Sequence, residues 1–185
     1  MQQSHFVHPG DVSDEKYVKR LVEDTITKLG KLDVFVNNAA IAIFGPFAQT
    51  TTQDWRKLMA TDLDSVYFGS REALPHLLKT KGTIINVSSA SGLGGEWGAQ
   101  CLQCGKGRYY PTLRAPRRLS TAPAACINTV APSLTSTEAT VDLEKSEAVM
   151  AAFRDRLPIG RAATPNEVAG VIVFSQVRTP SSSME

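Results

Sequence analysis

Three short, almost continuously apolar stretches alternate along this chain with longer stretches in which apolar residues recur every three or four positions. The short stretches cover residues 32–36, 83–87 and 126–131. A strand that is apolar on both sides has both faces covered, which is typical of parallel sheets whose strands are joined by helices. The pattern therefore predicts an α/β fold, with a parallel sheet and helices on both of its faces.

Capping residues mark where the helices between these strands begin and end. A small polar residue accepts the first free backbone N–H groups of a helix, and a glycine commonly follows its last turn. We predict three helices with these boundaries: an N-cap at Ser13 and a stop at Gly30, an N-cap at Thr51 or Thr52 and a stop at Gly82, and a capping box from Thr164 to Glu167 with an end at Phe174.

Length and charge narrow the class of protein. The 185 residues amount to one domain, and we expect it to span residues 1–174, with a disordered tail over 175–185. The chain has 20 Lys and Arg against 18 Asp and Glu, so its net charge of +2 favours no nucleic-acid partner. No stretch approaches the roughly 20 apolar residues of a membrane helix, and no signal peptide precedes the first strand, so we expect a cytoplasmic protein without a membrane partner.

The cysteines and histidines predict no metal site. Cys101 and Cys104 have the spacing of a metal-binding pair, but a closed zinc site needs four ligands and the sequence offers no second pair. We interpret the pair as a chance spacing, and the isolated residues His5, His8 and His76 as solvated side chains.

Polar residues cluster where the predicted strands end. The carboxyl ends of parallel strands meet at one edge of an open sheet, where α/β proteins bind their ligands. We therefore expect a site formed by residues at that edge, which are Asp11, Asn37, Asn38, Ser88, Ser89, Pro132 and Ser133.

These strand-end segments resemble the short-chain dehydrogenase/reductase family, whose Rossmann-fold members move hydride between NAD or NADP and an alcohol or carbonyl substrate. Asp11-Val12 resembles the aspartate after the family's third strand, and residues 37–40 its Asn-Asn-Ala-Gly signature. Residues 85–89 are similar to the segment of the catalytic serine, and residues 128–132 to the segment before its Pro-Gly motif. The resemblance implies a Rossmann-like sheet that is truncated at its N-terminus, where two family strands and a glycine-rich phosphate loop would precede this sequence.

The resemblance also implies roles for single residues. Ser89 would orient the substrate oxygen, Lys106 would hold the ribose, and Asp62 lies where the family has a catalytic asparagine. On the predicted helix, Asp62 lies on the same face as the apolar residues Met59 and Val66. An ionised carboxylate there would need a cationic partner or a raised pKa. The cofactor contacts implied in this way are Asp11, Val12, Asn38, Ala39, Ala40, Lys106, Pro132 and Thr137.

Besides Asp62, a second position departs from the family's catalytic pattern. The tyrosine that serves as general acid and base lies thirteen residues after the serine, and Leu102 occupies that position. Because leucine cannot transfer a proton, we expect impaired or absent catalysis. Permitted codons for residues 100–107, read in a shifted frame, encode Ser-Ala-Tyr-Asn-Ala-Ala-Lys, so we hypothesise that about residues 99–125 and those after 174 are out-of-frame translation of a family gene.

Simpler interpretations stay open beside these roles. Asp11 and Asn38 can be cap or turn residues, Ser89 can end a strand, Lys106 can be solvated, and Asp62 can be a tolerated change.

The sequence favours an NAD(P)-dependent oxidoreductase with a small alcohol or carbonyl substrate. The alternative is a non-catalytic module that pairs with a complete family member; homo-oligomers are usual in the family, and the state of this chain is open. A weaker third reading, a nucleic-acid module at Arg108–Arg118, is disfavoured because a shifted frame produces such clusters by chance.

Overall fold

The computed structural model describes residues 5–94, 125–155 and 159–176. Helices and strands alternate through most of it, beginning with a helix and ending with one. In chain order they are α1 (Glu15–Leu29), β1 (Val34–Asn37), a 3₁₀ turn (Phe47–Gln49), α2 (Thr52–Met59), a π-helical turn (Ala60–Asp64), α3 (Ser65–Thr80), β2 (Thr83–Val87), α4 (Ser91–Gly94), β3 (Cys126–Val130), α5 (Val141–Glu144), α6 (Glu147–Arg154) and α7 (Pro165–Phe174).

The described strands form one parallel sheet in the order β1-β2-β3. Every residue of the central strand β2 is buried, as its almost continuously apolar sequence predicts. The strand β1 lies at an edge of this sheet, and Val36 there is 39% exposed. The prediction of a parallel α/β sheet is confirmed.

Helices cover both faces of the sheet. Asn37, Asn86 and Thr129 occupy paired positions and therefore share one face, where Asn37 contacts Ser70 on α3. Asn128 points to the opposite face because successive strand residues alternate. There its side-chain amide donates to the carbonyl of Ser175 at the end of α7 over 2.6 Å.

The hydrophobic core lies between α3 and the sheet. Leu32, Ala73, Leu77 and Ile84 form a buried cluster, and Phe35 and Ile127 pack against it from the strands on either side of β2. The helix α1 packs along α3. This burial holds the strands in the register that aligns their carboxyl ends.

The helices differ from the sequence prediction at three points, which are two boundaries and one interruption. The N-cap of α1 is Asp14, not Ser13, because the carboxylate of Asp14 accepts from Lys16 N. Ser13 instead donates to Asp11. The predicted helix from Thr51 to Gly82 is interrupted by the π-helical turn, and its left-handed C-cap is Lys81, at φ 57°, rather than Gly82. The predicted caps at Gly30, Thr51 and Thr164 are confirmed.

The interpretation of His8 as a solvated residue is wrong. Residues 5–9 belong to no helix or strand of the described structure, and they lie against α1. There Nε2 of His8 lies 2.8 Å from Oδ2 of Asp24, and its ring packs edge-on against Tyr17, whose hydroxyl donates to the His8 carbonyl. No local pattern predicts this contact, because the partners of His8 lie 9 and 16 residues away along the chain.

Several predictions concern residues outside the described ranges. These are the Cys101–Cys104 pair, Leu102, Lys106, the basic and aromatic cluster from Arg108 to Arg118, and the tail from residue 177 onward. Ser175, where the predicted tail begins, still caps α7. Across the described ranges, no helix has the length and apolarity to span a membrane, and no three potential ligands cluster as a metal site.

Candidate functional site

The carboxyl ends of β2 and β3 are joined beyond the strands themselves. Ser88 N donates to the carbonyl of Val130, and Ala90 N donates to that of Pro132, each over 2.8 Å. These two bonds continue the parallel pairing past the last strand residue. As a result Ser89 is held between two anchored residues beside Pro132.

The hydroxyl of Ser89 has a partner that the motif alone does not reveal. Its Oγ lies 2.5 Å from Oγ of Ser91, and Ser91 N donates to the same Ser89 oxygen over 3.3 Å. Ser91 is buried and begins α4. The short helix therefore fixes the Ser89 side chain at the strand end while leaving it half-buried.

The loop after β1 is anchored by Asp62. Asn38, Ala39 and Ala40 are exposed, and the next backbone group, Ile41 N, donates to Oδ1 of Asp62 over 2.8 Å. Asp62 is fully buried on the π-helical turn, a local widening that often occurs at functional sites. The π-helical turn thus places the Asp62 carboxylate against the backbone of Ile41, in the loop that follows β1.

The segment after β3 is pinned to the start of α7. Thr135 forms an isolated parallel bridge with Ala163, in which Ser136 N donates to Ala163 O and Ala163 N donates to Leu134 O. The hydroxyl of Thr140 closes this segment by donating to Thr135 O over 2.6 Å. The bridge brings α7 against the carboxyl ends of the strands.

These segments surround a cavity of about 860 Å³, within the range of small-molecule sites. Its lining includes eight of the residues that the sequence predicted, which are Asn38, Ala39, Ala40, Ser88, Ser89, Pro132, Ser133 and Thr137. Asp11, Val12 and Asp62 lie outside the lining, and Lys106 lies outside the described ranges. The expected site at the strand ends therefore exists as a cavity, with Asp62 behind one of its walls.

Asp11 keeps a charged carboxylate next to α1. Its Oδ1 accepts from the backbone N–H and the hydroxyl of Ser13, over 2.9 and 2.8 Å. These hydrogen bonds lower the pKa of Asp11, and Lys57 contributes in the same direction. The Asp11 side chain is exposed and does not line the cavity.

The apolar wall of the cavity was missed by sequence reasoning. It is formed by side chains after β1 and on the last three helices, which are Ile41, Phe44, Leu143, Val149, Phe153, Val168 and Ile172. Their spacing does not separate a cavity wall from a core face, because both have the same helical period. For Ser89, the missed partner is Ser91. Its position two residues later was the one local signal that could have predicted their contact.

A family model described as Enoyl-(Acyl carrier protein) reductase matches residues 1–175 of the chain. Among individual proteins, the chain is similar to a meso-2,3-butanediol dehydrogenase from Serratia marcescens. The two are 42% identical over 164 residues, which cover 89% of this chain and 64% of that protein. An NADP-dependent (R)-specific alcohol dehydrogenase from Lentilactobacillus kefiri is 34% identical, over 89% of this chain and 66% of its own length.

A solved structure has the same fold. A gluconate 5-dehydrogenase from Burkholderia cenocepacia J2315, in complex with NADP and tartrate, superposes with a TM-score of 0.83 and 24% identity. The match covers 89% of this chain and 65% of that one. The chain thus spans about two thirds of the length of the proteins that it matches.

Proposed function

The chain belongs to the short-chain dehydrogenase/reductase family, and from that membership we propose that it is an NAD(P)-dependent oxidoreductase for an alcohol or carbonyl substrate. The observation that carries this proposal is the cavity at the carboxyl ends of the strands. It brings Ser89 together with Pro132 and with the loop after β1, although these residues are far apart in sequence.

The residues of the cavity fit a nicotinamide cofactor. Asn38 and Thr137 offer amide and hydroxyl groups, Ala39 and Ala40 leave their exposed backbone open to a ligand, and Pro132 forms an apolar surface. NAD or NADP, when bound, supplies the carbon that gives or takes hydride. Asp11 and Val12 would hold the part of the cofactor that lies beyond the cavity.

Within this site Ser89 would orient the substrate oxygen. Its hydroxyl, already paired with Ser91, can donate to an alcohol or carbonyl oxygen and keep it in one direction. Asp62 would act as a positioning residue, because it contacts the backbone of Ile41 rather than the cavity. Lys106 would hold the ribose.

We further propose that this exact chain has little or no turnover. The residue that would donate the proton is replaced by Leu102, and loss of a general acid typically costs about 10² to 10⁴-fold in rate. Out-of-frame translation of roughly residues 99–125 would account for the change. The nucleotide sequence, read in three frames through this region, tests that origin.

The experiment is a titration of NADH and NADPH fluorescence with the purified chain, followed by an assay for hydride transfer to a panel of alcohols and ketones. We expect saturable binding with turnover at or below detection. Leu102→Tyr, with Leu102→Phe as the matched control, asks whether the phenol hydroxyl alone raises the rate. Rapid turnover by the unaltered chain would contradict the impairment, and absence of any NAD(P)H binding would contradict the oxidoreductase.

The exposed strand β1 favours a second candidate function. Its outer edge has no partner strand within the described sheet, and Val36 there is 39% exposed. Unpaired edges of this kind accept a strand from another chain. A non-catalytic module that pairs with a complete family member would co-purify with it at fixed stoichiometry, whereas a chain that acts alone would not.

A further inference from the structure

The part of the cavity lining that the structure describes is uncharged. None of the described lining residues is Asp, Glu, Lys, Arg or His. The polar groups are one amide and several hydroxyls, carried by Asn38, Ser88, Ser89, Ser133, Thr135, Thr137 and Thr140. An ionic group that entered would therefore lose its water without meeting an opposite charge from the described wall.

The polar and apolar parts of the lining come from different elements. The hydroxyls follow the ends of β2 and β3, whereas Leu143, Val149 and Phe153 lie on the helices α5 and α6, and Val168 and Ile172 lie on α7. A ligand that fits this arrangement has one polar end at the strands and an apolar body against the helices.

We propose that the substrate is uncharged, with its alcohol or carbonyl group next to an apolar body; this inference rests on the proposed function. Substrates that carry a carboxylate or phosphate are rejected. The strand-end hydroxyls would bind the reacting oxygen. The helical wall would bind the apolar body and exclude water from it.

The test compares three ligands that share one ring. Cyclohexanone, cyclohexanecarboxylate and cyclohexylammonium are titrated into the full-length chain, and dissociation constants are taken from amide chemical shifts. We expect cyclohexanone to shift amides that line the cavity, Ser89 and Leu143 among them, and both ions to bind at least about tenfold more weakly.

A positively charged residue introduced into the cavity lining tests whether the lack of an opposite charge causes the rejection of carboxylates. Ala139 lines the cavity and is exposed, whereas Ala148 is exposed on α6 and does not line it. Ala139→Arg should shift the ratio of carboxylate to ketone affinity toward the carboxylate by about tenfold, because the guanidinium supplies the missing partner. Ala148→Arg should leave that ratio unchanged.

Failure of this inference is distinct from failure of the proposed function. If the carboxylate binds as tightly as the ketone, if no cyclohexanone binds, or if both arginine variants change the ratio equally, the substrate class is wrong. If cyclohexanone binds selectively but neither NADH nor NADPH binds, the cavity assignment stands and the oxidoreductase is wrong.

Discussion

The side-chain amide of Asn37 donates to Oδ1 of Asn86 over 2.8 Å, at the last paired position of β1 and β2. Asn86 is fully buried, and Asn37 also donates to the hydroxyl of Ser70 on α3 over 3.2 Å. Polar groups this deep are stabilising only when they are paired. The contact therefore ties together the two strand ends that lead to Asn38 and Ser89.

We expect Asn37→Ala to lower the free energy of unfolding by about 1 to 3 kcal/mol, because it leaves the buried Oδ1 of Asn86 without its donor. Asn86→Ala should cost about 0.5 to 1.5 kcal/mol, because it removes one hydrogen bond while the Asn37 amide still donates to Ser70. Urea denaturation of both variants and of the double variant measures their coupling, which should exceed about 0.5 kcal/mol. The control pairs Asn37→Ala with Asn166→Ala, since Asn166 is exposed on α7. Additive losses in the first cycle would show that the contact contributes nothing.

Replacement by alanine should change the stability of the protein in opposite directions at two helical glycines. A Cβ at Gly69 on α3 would lie 2.6 Å from Oδ1 of Asn37 and from a ring carbon of Phe35, whereas a Cβ at Gly170 on α7 would meet no atom within 4 Å. The Asn37 amide is held by hydrogen bonds and Phe35 packs against the core, so neither can move aside freely.

We therefore expect Gly69→Ala to destabilise the protein by about 1 to 3 kcal/mol despite its better helix propensity. Gly170→Ala should stabilise it by up to about 1 kcal/mol. Urea unfolding of the two variants measures both signs, and a gain in stability at Gly69 would contradict the close packing of α3 on β1.

Stability should depend on pH through Glu167. Hydrogen bonds from Arg161, and from the backbone and hydroxyl of Thr164, lower the pKa of Glu167 from 4.5 to about 2. Because the ionised form is favoured in the folded state, this stabilisation is complete above pH 4.5 and is lost as the pH falls toward 2.

Glu167→Gln should accordingly lower the melting temperature most at neutral pH, and the difference from the unaltered chain should shrink as the pH falls through that range. Thermal unfolding followed by circular dichroism measures the difference. Asn166→Ala, at the neighbouring uncharged position, should show a difference that does not vary with pH. A constant effect of Glu167→Gln would contradict the pairing with Arg161.

The contact between Asp62 and Ile41 predicts which of two Asp62 variants is the less stable. Asp62→Asn keeps an oxygen that can accept from Ile41 N, whereas Asp62→Ala removes it and should cost about 1 to 3 kcal/mol of stability. Hydrogen exchange of the Ile41 amide distinguishes the two, because it should become fast only in Asp62→Ala. Equal protection in both variants would show that another group holds the loop.

Much of the fold was predictable because the signals are local. The bounds of β2 and the capping box at Thr164 follow from residues within one element, and both predictions are confirmed. The N-cap of α1 was assigned one residue too early because Ser13 and Asp14 are both good caps. The π-helical turn at Ala60–Asp64 left no pattern, since its apolar spacing continues that of the flanking helices.

The candidate site was predictable in part. Ser89 and Asn38 follow strands, and strands in a parallel sheet end at one edge, so their neighbourhood follows from the fold class. The apolar wall from Leu143 to Ile172 was not predictable, because an apolar residue on a helix can face a core or a cavity with the same spacing. The partners of His8 were missed for a similar reason, as they come from a separate helix.

The sequence by itself determined the elements, their parallel arrangement and the polar residues at the strand ends, because these depend on backbone preferences and on neighbours a few residues away. Only the tertiary structure decided what those residues contact. It placed Asp62 behind Ile41 and Ser91 beside Ser89, and it formed a cavity between the strand ends and three helices whose described lining is uncharged. Such contacts join distant segments, and their geometry is set by the packing of the whole core.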